Sequence, residues 1–201
     1  MNDLILVVAD KNMHFALRGA LSRPEALGIR PISVDFLVHP GRDGGVRKTG
    51  AELLALKRSA ANHGMIVLDY EGCGAACPAG NLEAELTQRL VPKWGANGQA
   101  LVIEPELDVW LWGAENALKT ALSWNHPASI RDWLRGRGYV LGEHEKPERP
   151  KEALEAVLRE LGLPRSSALY EELAGKLSLR RCSDSAFGRL RATLQQWFPA
   201  V

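Results

Sequence analysis

The chain has 201 residues, 46% of them hydrophobic, and a formal net charge of +1. That length supports one substantial core with a small appendage, and the near-zero charge excludes a whole-molecule field of the kind that marks general nucleic-acid or membrane binders. The apolar runs are strand-length rather than the roughly 20 residues of a membrane span, the first residues carry no basic leader, and three cysteines suit a reducing compartment, so a cytoplasmic, non-membrane protein is expected.

In chain order, residues 4–9 are a continuous β-prone run, after which Met13, Leu17, Ala20 and Leu21 recur at helical spacing. Asp10 therefore sits at a strand-to-helix junction. A second strand is expected over 32–38, then a glycine-rich charged loop at 39–48, then a helix carrying Leu53, Leu56 and Ala60. Residues 65–69, Met-Ile-Val-Leu-Asp, are apolar on both faces until the last, as in a central parallel strand covered on each side by helices. A loop at 71–80 leads into a helix with Leu82, Leu86 and Leu90 on one stripe, and 100–103 supply a fourth strand. Strands joined by helical crossovers are parallel, and ligands of such sheets bind beyond the strands' carboxyl ends, where Asp10, His39, Asp69 and Glu104 fall.

Helices are then expected over 105–112, 115–124 and 129–137, with three more beyond Pro150. Their apolar stripes are Leu154, Val157, Leu158 and Leu161; Leu169, Leu173 and Leu177; and Phe187, Leu190, Leu194 and Trp197. The charged stretch 143–151, with two prolines, reads as an exposed linker. It divides an α/β domain, 1–142, from a helical cap, 143–201, packed back on it.

Asp69 and Glu71 stand one residue apart, so their side chains share a side if strand geometry continues. Paired carboxylates hold Mg²⁺ or Mn²⁺ through hard oxygen ligands and leave room for phosphate oxygens and water. Acids at strand ends also cap helices and accept from loop amides, so the pair alone leaves both readings open. Glu104, Glu106, Asp108 and Glu115 are equal candidates for a further ligand. Arg42, Arg47 and Lys48, among the glycines of 39–48, could hold a phosphate backbone. His39 beside them is either an acid–base group or a plain loop residue. The 72–80 loop precedes a helix N-terminus suited to an anion but lacks a Walker lysine and serine. Trp110, Trp112, Trp124 and Trp133 either stack on bases or fill the core. Arg180, Arg181, Arg189 and Arg191 form either a partner surface or a solvated helix face.

Taken together, an apolar first strand ending in an acid, a later strand ending in Asp-x-acid, and Pro105-Glu-x-x-x-Trp-Leu after a fourth strand resemble the Toprim fold. That fold is the metal-binding domain of topoisomerases, primases, recombination proteins and overcoming-lysogenization-defect nucleases. Residues 103–112, Ile-Glu-Pro-Glu-Leu-Asp-Val-Trp-Leu-Trp, resemble the signature of an uncharacterised Toprim-like family of bacterial defence neighbourhoods, and so do residues 170–177 and 181–187 of the tail. Residues 7–12 and 23–29 further resemble a component of methylation-associated anti-phage defence systems.

The resemblance implies a Toprim-like, Rossmann-like α/β fold: a mostly parallel four-stranded sheet flanked by helices, with a C-terminal helical extension. It implies Asp10, Asp69, Glu71 and Glu106 as catalytic metal ligands for Mg²⁺ or Mn²⁺, nucleic-acid phosphodiesters as substrate, and other defence proteins as partners. The alternative is a non-catalytic interaction subunit. Two departures stand out: Ala9-Asp10 replaces the usual Glu-Gly, shortening the acid and losing the glycine, and Glu71 replaces an aspartate.

Overall fold

A computed structural model describes residues 1–113, 115–176 and 182–200. Four strands, β1 (Asn2–Val8), β2 (Val34–Val38), β3 (Ala61–Asp69) and β4 (Gly98–Ile103), form one all-parallel sheet in the order β2-β1-β3-β4. The two inner strands are those whose sequences are apolar on both faces, and residues 4–8 and 65–68 are fully buried. The crossovers are α1 (Lys11–Leu21), followed by the short α2 (Pro24–Leu27), then α3 (Arg42–Ala55) and α4 (Ala79–Trp94). Since β2 and β3 flank β1 on opposite sides, right-handed crossovers put α1 on one face and α3 with α4 on the other. This is a Rossmann-like α/β arrangement.

After β4 the described chain is helical: a 3-10 turn at Leu107–Gly113, then α5 (Glu115–Ala121), α6 (Ile130–Gly136), α7 (Pro150–Glu160), α8 (Ser167–Lys176) and α9 (Ser185–Trp197). α8 lies directly along α1, and α9 reaches β4. The α1–α8 approach depends on Gly19, because a Cβ there would stand 2.4 Å from the carbonyl oxygen of Glu171. Arg18 and Glu171 fasten the same contact at its rim with two hydrogen bonds of 2.6 and 2.7 Å.

Both margins of the sheet are closed by carboxylates. On β4, Glu83 of α4 accepts the Val102 amide (2.8 Å), while Arg189 of α9 donates to the Val102 carbonyl (3.1 Å) and pairs with Glu83 (2.8 Å). On β2, the Asp35 carboxylate folds back to accept the Phe36 amide (2.8 Å).

Several expected elements differ. The stretch 39–48 is not a loop: α3 begins at Arg42. Its glycines serve packing, since a Cβ on Gly45 would lie 2.3 Å from the His39 ring. α3 also stops at Ala55, which leaves Leu56 exposed and puts Ala60 in the turn before β3. The expected helix at 105–112 is the tighter 3-10 turn, almost wholly buried. Within 143–151, Lys146 and Pro147 are buried, with Pro147 bridging to Leu141, so the stretch is not uniformly exposed. Leu177, Arg180 and Arg181 lie outside the described residues. No helix among the described residues is long and apolar enough to cross a membrane.

Two glycine substitutions separate packing from helix propensity. Gly19→Ala is expected to lower unfolding free energy by about 1–3 kcal/mol through overpacking against α8. Gly188→Ala in α9, where a Cβ meets nothing within 4 Å, is expected to raise it by about 0.5–1 kcal/mol. Urea denaturation followed by circular dichroism measures both.

Candidate functional site

The strand ends supply one acid each, and each is held by a main-chain amide from another position. Asp10, extended at the end of β1, caps α1 by accepting the Met13 amide (2.9 Å). Asp43, in the first turn of α3, accepts the Asp69 amide (2.8 Å). Asp69, closing β3, accepts the Leu107 amide where the 3-10 turn begins (2.8 Å). Glu106, just beyond β4, accepts the Lys151 amide at the start of α7 (2.9 Å). These bonds lock β1, α3, β3, the segment after β4 and α7 around a common space. Asp108 is fixed differently, accepting from the buried Tyr170 hydroxyl and facing Arg165 at 3.6 Å.

The space is a cleft of about 780 Å³ beyond the carboxyl ends of the strands. Among the described residues its acids are Asp10, Asp43, Asp69, Glu71, Glu106 and Asp108, with Glu152 and Glu155 from α7, against Arg42, Lys151 and Arg165 as cations. Among the described residues none of Asp10, Asp43, Asp69, Glu71 and Glu106 forms an ion pair.

Electrostatics follow from this crowding. Burial pushes the Asp69 carboxyl well above the usual range although part of it faces the cleft, and the charges of Asp43, Asp108 and Glu106 push the same way. Burial also raises Asp43, with the Asp10 charge adding to it. Glu106 is pushed up to about 7 by burial and by Asp108. Asp108 is raised by burial even though Tyr170 and Arg165 oppose the shift. A cluster of partly desolvated carboxylates of this kind attracts hard cations. As arranged, no three His, Cys, Asp or Glu side chains among the described residues form a ready-made metal shell.

The structure thus brings Asp10, Asp69, Glu71 and Glu106 to one cleft and adds Arg42 at its wall. It does not bring Arg47 or Lys48 there. Arg47 donates to the Cys73 carbonyl (2.8 Å), tying α3 to the loop after β3, and Lys48 is exposed along α3. His39 is part of the scaffold: Nδ1 accepts the Gly41 amide (3.0 Å) and Nε2 meets Thr49 (3.0 Å). Glu104 is exposed outside the cleft, and Glu115 pairs with Arg131 (3.7 Å). The four tryptophans are core, and the indoles of Trp110, Trp112 and Trp124 donate to Asp184, Pro150 and Ala128. Arg189 guards the sheet edge.

Sequence reasoning missed Asp43, Lys151, Arg165 and Tyr170. Asp43 had a usable signal, because it follows β2 as Asp10 follows β1 and Asp69 ends β3. Its glycine neighbours disguised it as a loop residue.

The raised carboxyls set the sign of a pH effect. A group with a higher pKa folded than unfolded favours the fold when protonated, so its contribution is full below the unfolded value and lost as pH rises through the folded one. For Glu106 that window runs from the ordinary 4.5 to about 7. Glu106→Gln keeps an acceptor for the Lys151 amide. It is expected to be more stable than the parent by about 1–2 kcal/mol at pH 8 and no more stable at pH 4, as read by denaturant titration at the two pH values. The chain matches no protein-family model, no curated protein and no solved structure.

Proposed function

We propose that the protein is a Toprim-like enzyme of a bacterial anti-phage defence system that binds Mg²⁺ or Mn²⁺ and acts on nucleic-acid phosphodiesters. The observation carrying this reading is the convergence of Asp10, Asp43, Asp69, Glu71 and Glu106, none ion-paired with a described residue, on one cleft at the strand ends. The donor set fits the metal by its chemistry. Mg²⁺ takes oxygen ligands and is commonly held by one or two carboxylates, with water and substrate phosphate completing its shell. A preformed cage of three donors is therefore not required.

Asp69 is the best-placed ligand: its amide is fixed by Asp43 and one carboxylate oxygen by Leu107, so it lines the cleft from a doubly held root. Glu71, exposed two residues on, lines the same cleft and reaches further. A bound divalent cation supplies charge neutralisation and acidifies a coordinated water. Around it, Arg42 at the wall meets phosphate oxygens, and the amide-held acids keep the reacting groups oriented. Among the described residues lining the cleft the one aromatic side chain, Tyr170, is fully buried. Recognition here goes through charge rather than base stacking, which favours sequence-independent binding with strong salt dependence.

A second reading, a non-catalytic interaction subunit of a defence complex, is favoured by one observation. Asp10 and Glu106 each commit an oxygen to a helix amide, the work of structural caps.

Calorimetric titration with Mn²⁺ and Mg²⁺ tests the first reading against the second. The parent protein is expected to bind Mn²⁺ and to gain several degrees in thermal midpoint on saturation, roughly as mass action requires. Asp69→Asn, which preserves an acceptor for Leu107, is expected to fold with equal or greater stability at neutral pH, lose about tenfold or more in metal affinity, and lose any cleavage of single-stranded DNA or RNA. A parent protein that binds neither ion leaves the interaction-subunit reading standing.

A further inference from the structure

Among the described residues three cations line the cleft, and they are held differently. Arg165 is held by Asp108 (3.6 Å), by Glu155 (3.3 Å) and by the Tyr170 hydroxyl (2.7 Å), so it ties the helical extension to the cleft floor. Arg42 stands exposed at the start of α3. Lys151 differs from both. It is part-buried, it lines the cleft, and it forms no ion pair with any described residue although acids surround it.

Its root is immobile. The Lys151 amide is held by Glu106 (2.9 Å), and the carbonyl of the buried Pro150 before it accepts the Trp112 indole N–H (3.0 Å). From that anchor a flexible four-carbon stem carries a compact charge with three donors into the cleft. The charge acts on three acids from two separate segments, opposing the raised carboxyls of Asp43 in α3 and of Glu106 and Asp108 after β4. An ammonium that serves several carboxylates without committing to one is an uncommitted counter-charge.

We propose that Lys151 is a second phosphate-binding residue of this site beside Arg42, contacting a non-bridging phosphate oxygen of the nucleic-acid strand once a divalent cation engages the carboxylates. This rests on the metal-site reading above. The physical ground is competition: an ammonium and a divalent cation in one acidic cleft repel each other. Without the cation, Lys151 partly neutralises the acids. With it, the ammonium is released from them, and its donors turn to the anion that the cation also attracts.

Competition fixes opposite signs for the two affinities, which a merely structural lysine would not produce. Mn²⁺ is titrated calorimetrically into the parent protein, Lys151→Met and Lys151→Arg. Binding of a fluorescent single-stranded oligonucleotide is then followed by anisotropy, with Ca²⁺ present to prevent turnover. Lys151→Met is expected to bind Mn²⁺ about three- to tenfold tighter and the oligonucleotide about tenfold weaker, with a salt slope smaller by about one. Lys151→Arg is expected to keep oligonucleotide affinity within about threefold. Unchanged oligonucleotide binding by Lys151→Met, in a parent that does bind Mn²⁺, overturns this inference alone. Parallel loss of both affinities overturns it too, by showing a structural role. A parent protein that binds no Mn²⁺ overturns the metal-site reading and this inference with it.

Discussion

Two consecutive carboxylate-to-amide bonds hold the molecule's functional end together: Asp43 accepts from Asp69, and Asp69 accepts from Leu107. They join the first turn of α3, the end of β3 and the turn after β4, segments separated by 26 and 38 positions. A hydrogen bond to a charged acceptor contributes about 1.5–3 kcal/mol, enough to set these three termini in one register. The cleft inherits its shape from them. Asp10 and Glu106 extend the same device outward, to α1 and to α7.

The device carries an opposing cost. Acids gathered by amides are also gathered towards each other, and burial and mutual repulsion hold Asp43, Asp69, Glu106 and Asp108 above their ordinary range. At neutral pH part of the stability won by the amide bonds is offset by the charges that make them. A site meant only to cap helices would do as well with asparagine or serine. So many ionisable acids at one point give the cleft a strongly negative lining, and it is this excess over what helix capping needs that motivates the metal-site proposal.

Much of this was legible in the sequence where the signal is local. The unbroken apolar run 65–68 marks an inner strand because both its faces are covered, and Asp69 is marked by being the first charge after it. Asp10 is marked by the switch from a continuous apolar run to helical spacing. What was not legible depends on long-range contact. Arg47 and Lys48 looked equivalent to Arg42, but once α3 begins at Arg42 the helical turn carries them away from the cleft, and Arg47 is drawn to the Cys73 carbonyl. Gly44 and Gly45, read as loop formers, lie in α3, and Gly45 is needed there because the His39 ring leaves no room for a Cβ. Lys151 and Tyr170 reach the cleft only because Glu106 docks α7 and because Gly19 lets α8 lie on α1. Neither dependence has a sequence-local trace.

The carboxylates at the sheet margins bear on how the protein can associate. A fifth strand joining at β4 would have to displace the Glu83–Arg189 pair from Val102, and one joining at β2 would have to unseat Asp35 from the Phe36 amide. Charged side chains seated on a strand edge in this way disfavour growth of the sheet by edge pairing. Any lasting assembly, whether with itself or with another chain, is thereby steered away from shared β-structure and onto helical surfaces, where complexes can form and dissolve without reopening the sheet.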